Sequence, residues 1–264
     1  MAQQLFLAFF LSVLIVALAY WRGSLSNSGA VGALIVGTVT FGFGGWQWGV
    51  LLALFFISSS LLSHYKEREK KAVAEKFDKG HRRDIWQVFA NGGAGAFFAL
   101  MNTVSPSPVW LALFVGAMAA MTADTWATEL GTLSKRPPRL ITSGKVVAVG
   151  TSGGISVFGT AVSFGGGLLI GGTAALLTGQ WALLLAGGLG GLFGSLFDSL
   201  LGATVQQIYV CVVCQKETEK RVHCGQATRP LKGWAWVNND LVNFLASLSG
   251  GFTALLVAYL LVAF

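Results

Sequence analysis

The sequence predicts an all-α, polytopic integral membrane bundle of 7–8 transmembrane helices, and three observations carry that expectation. Charged residues make up 11% of the 264 positions and hydrophobic ones 54%, whereas soluble domains are about a quarter charged. Mean hydropathy is +0.66, and apolar runs of roughly 17–25 residues, enough to cross about 30 Å of hydrocarbon, recur along the chain. Thirty-five glycines suit helices that must approach closely where water supplies no hydrophobic drive between them. The length suits a single transmembrane domain over residues 1–264.

The spans fall at approximately 4–20, 28–44, 46–62, 88–104, 108–127, 154–178, 181–203 and 241–263. The first has no basic n-region and only a poorly formed cleavage site, so it reads as a retained helix and not a removable signal. The second is short and glycine-rich; a broken or re-entrant segment there reduces the count to seven. With eight spans, all 18 Lys and Arg fall in connections on one side. The positive-inside rule then makes the loops at about 63–87, 128–153 and 204–240 cytoplasmic and puts both termini outside, with a bacterial inner membrane as the expected location. The opposite connections, such as 44–47 and 105–108, are short and uncharged. The run "KEREKKAVAEK" (66–76) reads as a solvated helix with i,i+4 charge pairs, and His64 and Tyr65 as interfacial residues. The net charge of +7 follows from this asymmetry and from anionic lipid; no basic stripe with interleaved aromatics points to nucleic acid.

Against that background four carboxylates stand out. Asp124 and Glu129 sit near the cytoplasmic end of span five, Asp198 near that of span seven, and Asp240 at the cytoplasmic start of span eight. A charge at bilayer depth costs at least about 2.5–3.5 kcal/mol at the centre, so such groups face polar cavities. Three spans therefore bring acids to a similar depth on one face, which suits a bound cation. In "DTWATELG" Asp124 and Thr128, and Thr125 and Glu129, are one turn apart. In "GSLFDSLLG" Ser195, Asp198, Ser199 and Gly202 share a face, and in "NNDLVNF" Asn239 and Asn243 are i,i+4 with Asp240 beside them. Carboxylate and amide oxygens are hard ligands, and Mg²⁺ commonly bridges one or two carboxylates to substrate phosphates. Magnesium with bound phosphate is the predicted content.

Phosphate needs donors as well. "ITSGKVVAVGTSGGIS" supplies Thr142, Ser143, Gly144 and Lys145, then Thr151, Ser152, Gly153 and Gly154 just before span six, and a Gly/Ser turn entering a helix exposes backbone N–H groups to an anion. It is not a Walker loop, and no dinucleotide fingerprint is present. Arg139 and Lys145 add charge. "KGHRRDIWQVFANGG" offers His81, Arg82, Arg83, Asp84, Gln87 and Asn91 at the start of span four, where Arg forks suit phosphate oxygens.

Cys211, Cys214, His223 and Cys224 lie together in "CVVCQKETEKRVHCG". A C-x2-C followed by H-C has the makings of a tetrahedral, structural Zn²⁺ site, with a strand-like hairpin at the first cysteine pair as the alternative. A stable disulfide does not suit a cytoplasmic loop.

Several motifs in fixed order, "LSNSGAVGA" (25–33), "WQVFANGG" (86–93), "ADTWATELG" (123–131), "PRLITSGKVVAVGTSGGIS" (138–156), "GSLFDSLLGATVQ" (194–206) and "NNDLVNF" (238–244), resemble a widespread membrane family that includes phytyl-phosphate kinase of vitamin E synthesis. The resemblance runs from about residue 22 to the C-terminus. It implies a polytopic prenyl-phosphate kinase, similar in character to the CTP-dependent phytol and dolichol kinases, that makes the diphosphate from an isoprenoid monophosphate. Carried over by motif, Asp124, Glu129, Asp198 and Asp240 are the acidic site groups, Asn239 and Asn243 support them, and the 145–154 loop holds phosphate. The cysteine cluster lies outside the family pattern. Residue chemistry adds that Asp124, Glu129 and Asp198 hold Mg²⁺, that Arg82, Arg83, Arg139 and Lys145 bind phosphates with Asn91, Thr128 and Ser195 nearby, and that the glycine-rich face of span six walls the isoprenoid tail. Two rivals use the same features: a cytidylyltransferase forming a CDP-lipid, and a transporter, for which 37–45 and 159–167 faintly resemble an internal repeat.

Overall fold

The computed structural model describes residues 2–66 and 82–262. Eight α-helices run through them: α1 (Ala2–Trp21), α2 (Asn27–Val39), α3 (Trp46–His64), α4 (Ile85–Val104), α5 (Pro108–Gly131), α6 (Val157–Thr178), α7 (Ala182–Thr204) and α8 (Asn239–Val262). Positions 67–76 of the charged run, and His81, lie outside the described residues. The segment at 28–44 is continuous: α2 passes into a π-helical turn, Thr40–Gly44, and together they are long and apolar enough to cross a membrane, as are six other helices among the described residues. The helix that does not qualify is α4. Gln87, Asn91 and Asn102, with Gly92, Gly93 and Gly95, lower its hydropathy, because one of its faces serves a polar interior.

Local sequence explains where the helices begin. Ser26 caps α2 by accepting from Gly29 N, Asp84 and Gln87 form a reciprocal capping box on α4, Pro108 takes the first turn of α5 behind Ser107, and Ser156 caps α6.

The bundle is built around α5. Every residue from Ala112 to Ala123 is buried, and the helix packs on α3, α4, α6, α7 and α8. Small residues make this possible. At the crossing of α5, α7 and α8, a Cβ placed on Gly250 would lie 2.5 Å from Ala120 Cβ, 2.7 Å from Gly116 O and 2.9 Å from Gly190 O, so only glycine lets these backbones touch. The α1–α2 pair lies against α4 and the π-turn.

The long connections gather at one end. Backbone bonds Ser26 N→Arg83 O and Arg83 N→Ser24 O, both 3.0 Å, tie the α1–α2 turn to the start of α4. Between α5 and α6, β1 (Arg139–Leu140) pairs antiparallel with β2 (Gly154–Ile155). Between α7 and α8, β3 (Ile208–Val210) is the middle strand of an antiparallel sheet with β4 (Glu217–Thr218) and β7 (Arg229–Lys232), while β5 (Val222–His223) pairs with β6 (Gln226–Ala227). Lys232 Nζ donates to Gly202 O (3.0 Å) and Ala203 O (3.1 Å), satisfying the last carbonyls of α7. Partial burial holds its pKa below the ordinary lysine value, against the opposing pull of Glu217.

Candidate functional site

Helix ends that carry polar residues converge where these connections meet, and they enclose a cavity of about 770 Å³. The last two turns of α5 contribute Asp124, Thr125, Thr128 and Glu129; α7 contributes Ser195, Asp198 and Ser199; the first turns of α8 contribute Asn239, Asp240 and Asn243. The 149–156 loop, including Thr151, Ser152, Gly153 and Gly154, and the Arg83, Gln87 and Asn91 face of α4 close two further sides. The four acids singled out in the sequence thus share one chamber.

Its two halves differ in charge pattern. On one side Glu129 accepts from Ser63 Oγ at 2.8 Å and faces the Arg83 guanidinium, which lies over the rings of Phe55 (5.8 Å) and Phe56 (5.5 Å). Loss of water around it pulls the Arg83 pKa down to about 10, partly offset by Glu129, and it stays cationic at neutral pH. On the other side Asp124 and Glu219 both act electrostatically on Asp198. Asp198 Oδ2 is buried and has no hydrogen-bond partner among the described residues. Two further acids beside a buried, unsatisfied carboxylate oxygen make a set of hard oxygen donors that suits a cation.

A fully buried glutamine organises the boundary between these groups. Gln206 Oε1 accepts from Ser152 Oγ (2.8 Å), and its Nε2 donates to Glu219 Oε1 (2.9 Å) and to Asn239 Oδ1 (3.4 Å). One side chain therefore couples the glycine-rich loop, the β4–β5 segment and α8. Gly153 lets the loop lie against α7: its φ is +84°, and an added Cβ would stand 2.5 Å from Ala203 Cβ. Deeper in, Ser163 Oγ and Ser195 Oγ are 3.2 Å apart, joining α6 to α7.

Three of the expected phosphate-binding cations lie off the cavity wall. Arg82 is exposed with its guanidinium 6.0 Å from the Tyr20 ring centre, Arg139 Nη1 donates to Gly144 O of its own turn at 2.8 Å, and Lys145 is exposed beyond the wall. Lys220 and Arg221 line the cavity instead, beside Glu219. These three and Gln206 were not picked out from sequence, because polar residues in a polar loop carry no contrast. The motif boundary at Gln206 was the available signal.

A second, apolar crevice of about 70 Å³ lies among α1, α2, α3 and α4, lined by Ile15, Val36, Phe41, Leu52, Phe55 and neighbours, and it shares Arg83, Gln87 and Asn91 with the polar cavity. The glycine face of α6, expected to wall a tail, is closed against α7: a Cβ on Gly167 would meet Gly187 O at 2.6 Å and Gly188 O at 2.9 Å. No room for a hydrocarbon chain exists along that seam.

Comparison with known proteins places this architecture. Residues 10–251 match the family described as integral membrane protein DUF92. The chain is 33% identical to Protein PGR of Arabidopsis thaliana over 94% of both chains. It is 34% identical to an uncharacterized membrane protein of Methanocaldococcus jannaschii over 88% of this chain and 85% of that one. Protein VTE6, chloroplastic, of Arabidopsis thaliana is 27% identical over 88% of this chain and 65% of its own length. No solved structure matches. The chain belongs to the DUF92 family of integral membrane proteins.

Proposed function

We propose that the protein is a membrane prenyl-phosphate kinase, transferring a phosphoryl group from a nucleoside triphosphate, with CTP as the donor, to phytyl phosphate or a similar isoprenoid monophosphate. The observation that carries this reading is the chamber in which the orphaned Asp198 oxygen, Asp124 and Glu219 face a glycine-rich loop and the cations Arg83, Lys220 and Arg221. The relatedness to Protein VTE6, chloroplastic, and the resemblance to phytyl-phosphate kinase supply the reaction class.

The donor set fits Mg²⁺, which takes hard oxygen ligands and is usually held by one or two carboxylates plus substrate phosphates. Asp124, Asp198 and Glu219 would hold it, whereas Glu129, expected from sequence among the ligands, accepts from Ser63 and faces Arg83; Asp240 lines the same cavity. When bound, the ion neutralises charge on the triphosphate. The chain's own residues do the rest. Arg83, with Lys220 and Arg221, binds the anionic oxygens of acceptor and donor. The 151–154 turn and Ser156 at the start of α6 line the same space. Gln206 and Asn239 fix the loop against α8, so the two phosphates meet in a set geometry. A P–O bond to the leaving diphosphate breaks while one to an acceptor phosphate oxygen forms. That oxygen is already anionic, so no strong general base is required. The tail enters the crevice among α1–α4, since Arg83, Gln87 and Asn91 join it to the polar chamber.

The test is turnover of purified protein in detergent with Mg²⁺, labelled CTP and a series of prenyl monophosphates, with products read by mass spectrometry. Prenyl diphosphate with CDP, lost in Asp124→Asn, is the expected result. Release of pyrophosphate with a CDP-lipid would make the protein a cytidylyltransferase, and full turnover by Asp124→Asn would remove that acid from the site.

A further inference from the structure

The cysteines and histidine of the α7–α8 connection have no part in this reaction. Yet the fold brings them together: one ligand atom from each of Cys211, Cys214, His223 and Cys224 lies within 4.8 Å of all the others. His223 Nδ1 is 3.6 Å from Cys214 Sγ and 3.2 Å from Cys224 Sγ. Tetrahedral zinc with Zn–S near 2.3 Å and Zn–N near 2.0–2.1 Å requires ligand separations of roughly 3.5–3.8 Å, so small adjustments complete the shell. The first pair sits in the tight turn leaving β3, where Val213 N and Cys214 N donate to Cys211 Sγ at 3.4 and 3.5 Å. Such N–H donation to sulfur suits a thiolate ligand. The backbone is held left-handed at Gln215 (φ 56°) and Cys224 (φ 53°), a conformation non-glycine residues adopt only where their surroundings hold them in it. All three cysteines are unpaired with one another.

We propose that Cys211, Cys214, His223 and Cys224 form a structural zinc site that staples the two ends of the segment presenting Glu219, Lys220 and Arg221 to the polar cavity. Cys214 precedes that segment and His223 follows it. A single ion therefore fixes both of its ends from outside the helical bundle. A four-ligand closed shell leaves no open position for substrate, so the role is architectural.

The experiment is metal analysis of the full-length protein, purified in detergent under reducing conditions without chelator. Equimolar zinc is expected, and its loss in Cys214→Ser and in Cys224→Ser. Wild-type protein stripped of zinc and titrated with Co²⁺ should develop thiolate-to-cobalt charge-transfer and tetrahedral ligand-field absorption saturating at one equivalent, a result that does not depend on variants folding. The proposal is overturned if wild-type protein holds no equimolar zinc as purified or after zinc addition while all three thiols alkylate freely. Zinc that persists in Cys214→Ser would overturn it as well. None of these readouts uses a prenyl phosphate, so the result is independent of the kinase assay.

Discussion

Asp198 carries a cost in the free protein, because one of its carboxylate oxygens is buried without a partner beside the like charges of Asp124 and Glu219. Asp198→Asn is therefore expected to stabilise the fold by about 1 kcal/mol, read as a higher unfolding midpoint in detergent, while abolishing turnover; a variant less stable than wild type would show that the carboxylate is satisfied. Gln206 is the opposite case. Gln206→Leu leaves Ser152 Oγ and Glu219 Oε1 without their partner and should cost about 1–3 kcal/mol, read as a lowered unfolding midpoint, with activity falling further than stability. Arg83 gives a pH test. Its folded pKa of about 10 lies below the ordinary guanidinium value, so the folded state penalises its charge. That penalty is complete below about pH 10 and is relieved as pH rises through that range, where the cation is also lost. Phosphate affinity should accordingly fall as pH approaches 10. Arg83→Lys, starting from an ordinary pKa near 10.4 in the same desolvated place, should bring that alkaline limb into the neutral range of a binding titration.

Helices α5, α7 and α8 deliver the acids, and glycine contact sets their spacing. Gly250→Val puts side-chain atoms into Ala120, Gly116 and Gly190; overpacking of this kind typically costs 1–3 kcal/mol and should separate Asp240 from Asp124 and Asp198, lowering both the unfolding midpoint and turnover. Gly165→Ala on α6, where an added Cβ meets nothing within 4 Å, should leave both unchanged. Asp124 and Asp198 stand out in the sequence because a carboxylate inside an apolar run is costly unless it faces a polar cavity or pairs with a cation. Glu219 and Gln206 do not, since their importance comes from the strand pairing that folds the α7–α8 connection back over the cavity. Arg139 and Lys145 show the limit of reading charge alone: position in the chain put them beside the glycine-rich loop, but the Arg139 head turns to the carbonyl of Gly144, five residues on in its own turn. The span limits were readable from apolar length, and the helices differ from them mainly where polar ends extend into the site, as α5 does through Gly131.

At the scale of the whole molecule, the polar cavity, the strand pairs and the basic connections occupy one end of the bundle. We expect that end to face the cytoplasm: a cysteine introduced at Ser143 should react with an impermeant maleimide only in inverted vesicles, and one at Gln180 only in intact cells, with the reverse pattern overturning the orientation. Assembly in the bilayer follows from α4. Among the described helices it is the one whose composition falls short of the apolar spans, yet it supplies Gln87, Asn91 and the capping box next to Arg83. A translocon releasing it singly would release it into an unfavourable solvent. We expect its insertion to depend on α5, against which it packs, so that biogenesis and assembly of the site become one event: truncation before residue 108 should leave α4 outside the membrane in a glycosylation-mapping assay.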